Sequence, residues 1–230
     1  MEGMVHAEVQ PQLDAVSLDP GRPLLIVDAD DVLFHFVAGF ERFLDVRGYH
    51  FDWDRFAATS SFMQGVQPRA AAPMDESRAK EIVHELVQAF FAAHTETLEP
   101  VRDAAASLAD LSNRLQIVVL SNLPIAHRGA RVRALTANGM DYPLVVNIGP
   151  KGPAVRYLQS QVSAPVFFVD DIPHNHTSVR AEADGVICLH FIADARIAQV
   201  LKPAPDSHHR CDVWSEARRI IEQYLTDSGH

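Results

Sequence analysis

The chain has 230 residues, 47% of them hydrophobic, and a formal net charge of -10 at pH 7; it can bury a substantial core as one domain or as a core with a small insertion, and its acidity argues against a nucleic-acid surface, which needs clustered Lys and Arg. No apolar stretch approaches the ~20 residues of a membrane helix, and Met1 to Leu24 lacks the uninterrupted apolar run of a secretory leader, so the expected location is the cytoplasm. Cys188 and Cys211 are the only cysteines; two thiols in a chain of this size are no disulfide framework, and both are expected reduced.

Residues 1–22, with Pro11, Pro20 and Gly21, read as an extension leading through Pro23 into a first strand, Leu24-Leu25-Ile26-Val27, that ends at Asp28-Ala29-Asp30. Leu33, Phe36, Val37, Phe40, Phe43 and Leu44 then recur at helical spacing. A polar and aromatic stretch over 49–74, read as irregular and containing a flexible Gly65, precedes a second helix for which Asp75 is the expected N-cap, with Ile82, Val83, Leu86, Phe90 and Ala93 on one face. Val101, Ala104, Leu108 and Leu111 mark a helix before the strand Ile117-Val118-Val119-Leu120, which ends in Ser121. A helix from about 126 to 137 should stop near Asn138-Gly139. A strand over 144–148 precedes Lys151 and a helix bearing Val155 and Leu158. The strand Val166-Phe167-Phe168-Val169 ends in Asp170-Asp171. A strand over 186–189, holding Cys188, and a final helix with Val213, Trp214, Ala217, Ile220, Ile221 and Tyr224 close the chain.

Short β-branched and aromatic runs without polar alternation are the pattern of strands buried on both faces of a parallel sheet. Strands alternating with helices at this spacing predict right-handed crossovers and an α/β fold of three layers, α/β/α. In such a sheet ligands sit beyond the carboxyl ends of the strands. Asp28, Asp30, Ser121, Lys151, Asp170 and Asp171 should therefore converge on one cleft. Arg128, Arg131 and Arg133 read as one solvated helix face, and His174 and His176 as solvated loop residues rather than metal ligands.

Four of these positions in this order resemble the motifs of the haloacid dehalogenase superfamily. The first motif, an apolar strand ending in Asp-x-Asp, is matched by Ile26-Val27-Asp28-Ala29-Asp30-Asp31-Val32; the second by Leu120-Ser121-Asn122; the third by Lys151; the fourth by Val169-Asp170-Asp171. The resemblance implies a Rossmann-like core over 23–34 and 98–230, a small helical cap over 35–97, and an N-terminal extension over 1–22. It implies a magnesium-dependent phosphatase acting on a small phosphorylated metabolite through an aspartyl-phosphate. Asp28 is then the nucleophile and Asp30 the acid and base, kept protonated when needed by the crowd of acids. Mg²⁺ would be held by Asp28, Asp30 through its carbonyl, Asp170 and Asp171, with Asp171 the more direct of the last two. Ser121, Asn122 and Lys151 would hold the phosphate. Asp31 stands where many relatives place glycine; Asp tolerates an unusual dihedral there, at the expense of one more negative charge near the phosphate.

Other readings stay open: a nucleotidase, since residues 32–40 loosely resemble the segment after the first motif in deoxyribonucleotidases; dehalogenation; phosphonate cleavage, for which Lys80 is the only cap lysine; and a non-catalytic binding module. Specificity is expected in the cap, with Arg69, in the loop over 60–73, touching the non-phosphate part of the substrate. No nucleic-acid or membrane partner is expected.

Overall fold

The structure, a computed structural model, describes residues 3–59, 61–70 and 75–230. The Ala71, Ala72 and Pro73 part of the expected 60–73 loop, with Ser60, lies outside the described residues. In chain order the elements are α1 (Gln10–Asp14), β1 (Leu24–Val27), α2 (Phe36–Asp45), β2 (Tyr49–Phe51), α3 (Trp53–Thr59), α4 (Phe62–Gly65), β3 (Val66–Pro68), α5 (Glu76–His94), α6 (Ala104–Leu111), β4 (Gln116–Ser121), α7 (Arg128–Ala137), β5 (Leu144–Val146), α8 (Gly152–Gln159), β6 (Val166–Asp170), α9 (Pro173–Glu182), β7 (Ile187–Phe191), α10 (Ala195–Val200), β8 (His209–Cys211) and α11 (Trp214–Asp227).

Six strands form one sheet in the order β5-β4-β1-β6-β7-β8, and every pairing in it is parallel. Because side chains alternate across a strand, each central strand feeds two cores. Leu24, Ile26, Val118, Val166 and Phe168 pack with Val155, Leu158 and Val179 under α8 and α9, whereas Leu25, Val27, Val119 and Val169 pack with Leu108, Leu111, Ile221 and Leu225 under α6 and α11. The fold is therefore the expected α/β/α sandwich, with a helical cap between β1 and β4. Val27 pairs with both Val119 and Val169, so the three central strands end within two residues of one another and deliver their polar residues to one edge.

Residues 3–22 are more than an extension leading into β1. Val9, Leu13 and Val16 are buried in the α8/α9 core, and Gln12 seals the edge strand: its amide donates to Val146 O at 3.1 Å and accepts from Val146 N at 2.9 Å. An unpaired strand edge invites foreign strands, and here a side chain covers it.

In the cap, the stretch over 49–74 is ordered where described. Tyr49–Phe51 and Val66–Pro68 form an antiparallel pair, with α3 and α4 between them. Gly65 is buried, and a Cβ there would meet the Phe51 ring at 2.7 Å; the glycine serves close packing, not flexibility. Asp75 caps α5 as expected, accepting from Arg78 N at 2.8 Å. On α5 the buried face carries Val83, Leu86, Phe90 and Phe91, while Ala93 is exposed. Short α10 and β8 escaped the sequence reading, since six and three residues carry little periodicity. No helix among the described residues is long and apolar enough to cross a membrane.

Candidate active site

Asp28 leaves the end of β1 almost fully buried. Three residues on, Asp31 adopts φ 53°, the left-handed region that its short polar side chain tolerates. Its carboxylate is taken up by the start of α2, accepting from Val37 N at 3.1 and 3.2 Å. Burial, opposed by that bond and reinforced by Asp30 and Asp194, pushes Asp31 up to about 8. The extra carboxyl at position 31 is thus biased toward its neutral form.

Lys151 ends the loop after β5 and precedes α8. Its position depends on Gly152: a Cβ there would lie 2.2 Å from Ser178 O, so only glycine lets α8 and α9 approach this closely. The buried ammonium sits 2.6 Å from Asp28 Oδ1 and 2.7 Å from Asp170 Oδ2. Burial pushes Lys151 down, but Asp170 and Asp28 outweigh that and raise it. One cation then faces three acids. Burial is the largest influence on Asp28, Lys151 counters it, and Asp170 and Asp30 add to it, leaving Asp28 at about 7; Asp171 is raised well above its ordinary value, by burial first and then by Asp170 and Asp28.

The paired acids at the end of β6 differ in their surroundings. Both oxygens of Asp170 are committed: Oδ1 accepts from Ile172 N at 2.9 Å and from Asn175 Nδ2 at 2.9 Å, and Oδ2 accepts from Lys151. Asp171 Oδ1 is buried without a hydrogen-bond partner. Two histidines hold this loop from behind. His190 Nδ1 accepts from Ala204 N, so its proton is on Nε2, which donates to Asp171 O at 2.8 Å. Burial pushes His190 down to about 4. His176 Nε2 lies 3.0 Å from Asp170 O and is buried on α9. The expectation of a solvated loop histidine therefore fails for His176; the chain after Pro173 is helical, and position 176 faces the sheet.

Ser121, at the end of β4, buries its hydroxyl without a partner. Asn122 braces the Lys151 loop, donating to Gly149 O and accepting from Asn147 Nδ2, each at 2.9 Å. Asn147 was not legible in sequence, and neither was Asn175.

The largest departure is Arg131. It does not share a solvated face with Arg128, which donates to Leu144 O, or with Arg133, which pairs with Glu96. Arg131 is fully buried, its guanidinium 5.1 Å over the Phe34 ring and 2.5 Å from Asp30 Oδ1. Asp30, expected among acids alone, is thus paired with a cation. Position 131 faces inward because α7 packs back against the sheet beside β5, which a charge count along the helix cannot reveal.

Asp28, Asp30, Asp31, Asn122, Lys151, Asp171 and Asn175 line one cavity of about 530 Å³, roofed by cap residues. Arg69 is absent from it: the guanidinium pairs with Asp45 and donates to Tyr49 O at 3.1 Å, tying the cap's own hairpin. Lys80 lies exposed on α5 and is not among the residues that line this cavity. Oxygens of Asp28, Asp170 and Asp171 lie within 4.8 Å of one another. Hard carboxylate oxygens around a surplus of buried negative charge fit a divalent cation, and the unpartnered Asp171 Oδ1 is a free donor for it.

No family model matches the chain, and no curated protein does either. Solved structures do. A haloacid dehalogenase-like protein of unknown function from Agrobacterium tumefaciens is 15% identical, with a TM-score of 0.60 over 89% of this chain and 99% of its own. A HAD family hydrolase from Deinococcus radiodurans, with bound phosphate and sodium, is 15% identical, TM-score 0.57, over 90% and 98%. A 2-haloacid dehalogenase from Pseudomonas syringae is 12% identical, TM-score 0.51, over 88% and 99%. The fold of this chain is that of the haloacid dehalogenase-like hydrolases.

Proposed function

We propose that the chain is a hydrolase of the haloacid dehalogenase superfamily that cleaves a small phosphate monoester, using a divalent cation such as Mg²⁺. The observation that carries this reading is Lys151 bridging Asp28 and Asp170 beside the unpartnered Asp171 Oδ1 and Ser121 hydroxyl. A dianionic phosphate repels a carboxylate unless cations offset the charge. Asp28 and Asp171 would hold the cation, which supplies that charge, with Asp170 fixing Lys151 beside it.

An oxygen of Asp28 attacks phosphorus as the ester P–O bond breaks, and Asp30 gives its proton to the departing oxygen. Water then attacks the aspartyl-phosphate, its proton passes to Asp30, and phosphate leaves with Asp28 restored. Arg131 fixes where the Asp30 carboxylate points. Lys151 and the Ser121 hydroxyl hold phosphate oxygens; Asn122 contributes by bracing the loop that carries Lys151.

Hydrolysis of acetyl phosphate or 4-nitrophenyl phosphate, dependent on Mg²⁺ and lost in Asp28→Asn, tests the proposal. A second reading, carbon–halogen hydrolysis at Asp28, draws on the apolar cavity roof. It predicts halide release without a divalent cation, which an ion-selective electrode reads directly.

A further inference from the structure

The cavity above Asp28 has two unlike halves. Its floor is the acid cluster with Lys151. Its wall is apolar: Phe36, Phe62, Met63 and Phe91 come from the cap, and Ile197 and Leu201 from the α10 region. Phe36 and Phe62 are partly exposed, and their rings pack 6.0 Å apart. Two large apolar side chains lie open at this cavity, Met63 at 39% exposure on the cap and Ile172 at 48% on the core. Apolar groups left exposed around a concave site are a mark of what the site receives.

The lysine and amide donors that line the cavity are already engaged. Lys151 is the one cation among the described lining residues, and it serves Asp28 and Asp170. The amide nitrogens of Asn122 and Asn175 donate within the protein. The nearby guanidiniums already face carboxylates: Arg131 pairs with Asp30, and Arg196 with Asp194 and Glu41. A second anion on the substrate would enter an apolar wall with no counter-charge, and sugar hydroxyls would exchange water for a surface without donors.

Resting on the phosphoryl-transfer reading of Asp28, we propose that the organic part of the substrate is uncharged and apolar, of the size of one aromatic ring on a short stem. The substrate class is the phosphate ester of an arylalkyl or similar apolar alcohol, not of a sugar, polyol or second acid. The ring would lie between the cap phenylalanines and the Ile197 and Leu201 side.

The test compares 2-phenylethyl phosphate with glycerol 1-phosphate in Mg²⁺. Both release a primary alcohol, so the ratio of kcat/KM reads the wall and not the leaving group. A preference of at least tenfold for the phenylethyl ester is expected, and Met63→Gln should cut that ratio at least threefold. Turnover of acetyl phosphate with no such preference overturns the proposal and leaves the phosphatase reading intact. If none of the three compounds turns over, the phosphatase reading fails, and calorimetry with 2-phenylethylphosphonate and methylphosphonate decides the wall alone. Tenfold tighter binding of the phenyl compound upholds it; equal or weaker binding overturns it.

Discussion

Arg131→Met separates positioning from stability. The substitution keeps length and apolar bulk but removes the guanidinium that holds Asp30. Breaking a buried ion pair costs about 3–5 kcal/mol when it strands a buried charge. Here the survivor is not stranded: the Asp30 side chain is 18% exposed and lines the cavity, so water can reach it. What is lost is one charge-assisted bond, about 1.5–3 kcal/mol, and a cation–ring contact with Phe34 of about 0.5–2 kcal/mol. What is relieved is the burial of Arg131 Nε and Nη1, which have no partner; unpaired buried donors cost about 1–3 kcal/mol each. The two sides nearly cancel, so urea denaturation should show a change below about 2 kcal/mol. Turnover should fall about 10- to 100-fold, roughly 1.4–2.7 kcal/mol of barrier, and more for alkyl than for nitrophenyl esters, because poor leaving groups need a correctly aimed proton. A loss of about 4 kcal/mol or more in stability, or equal rate losses for both ester types, would refute the reasoning.

Asp28→Asn should abolish turnover without lowering the melting temperature of the metal-free protein, since it removes one acid from an over-charged cluster; residual turnover above about one per cent of the parent rate would remove Asp28 as nucleophile. Asp28, at about 7, and Asp31, at about 8, are raised above their unfolded values, so the stability they contribute is present at low pH and fades as pH rises through 7 to 8. Thermal unfolding in EDTA should thus show lower stability at pH 8 than at pH 6.5, and Mg²⁺ should raise the melting temperature more at pH 8; equal shifts at both would sink this account. Asp171→Asn should raise the Mg²⁺ concentration needed for half-maximal activity at least tenfold, whereas Asp170→Ala, which strips partners from Lys151, Ile172 N and Asn175, should cost about 3–5 kcal/mol of stability; metal titration and denaturant melts showing the reverse order would contradict it. Gly152→Ala should destabilise by about 3 kcal/mol, because its Cβ meets the Ser178 carbonyl, and a melt within 0.5 kcal/mol of the parent would show that α8 and α9 can separate.

What was legible in the sequence was whatever is local in the chain. Apolar runs such as Ile26-Val27 and Phe168-Val169 announce strands buried on both faces, because only that environment takes up side chains of both parities. The cap of α5 at Asp75 and the unusual dihedral at Asp31 are likewise written into single residues and their neighbours. Parallel pairing then brings Asp28, Ser121 and Asp170 to one edge, since strands in register end together. The direction in which a helix residue points depends instead on which surface the helix lands upon. Arg131 and His176 look like solvated polar residues until α7 and α9 are laid against the sheet, and Arg69 looks available until the cap hairpin closes on Asp45. The apolar wall was similarly hidden, for Phe62 and Phe91 become neighbours of Ile197 and Leu201 only when cap and core face each other across the cleft. Hydrophobic burial is non-directional, so composition and spacing state how much surface is covered, while the packing of remote elements decides which residues remain to meet a substrate.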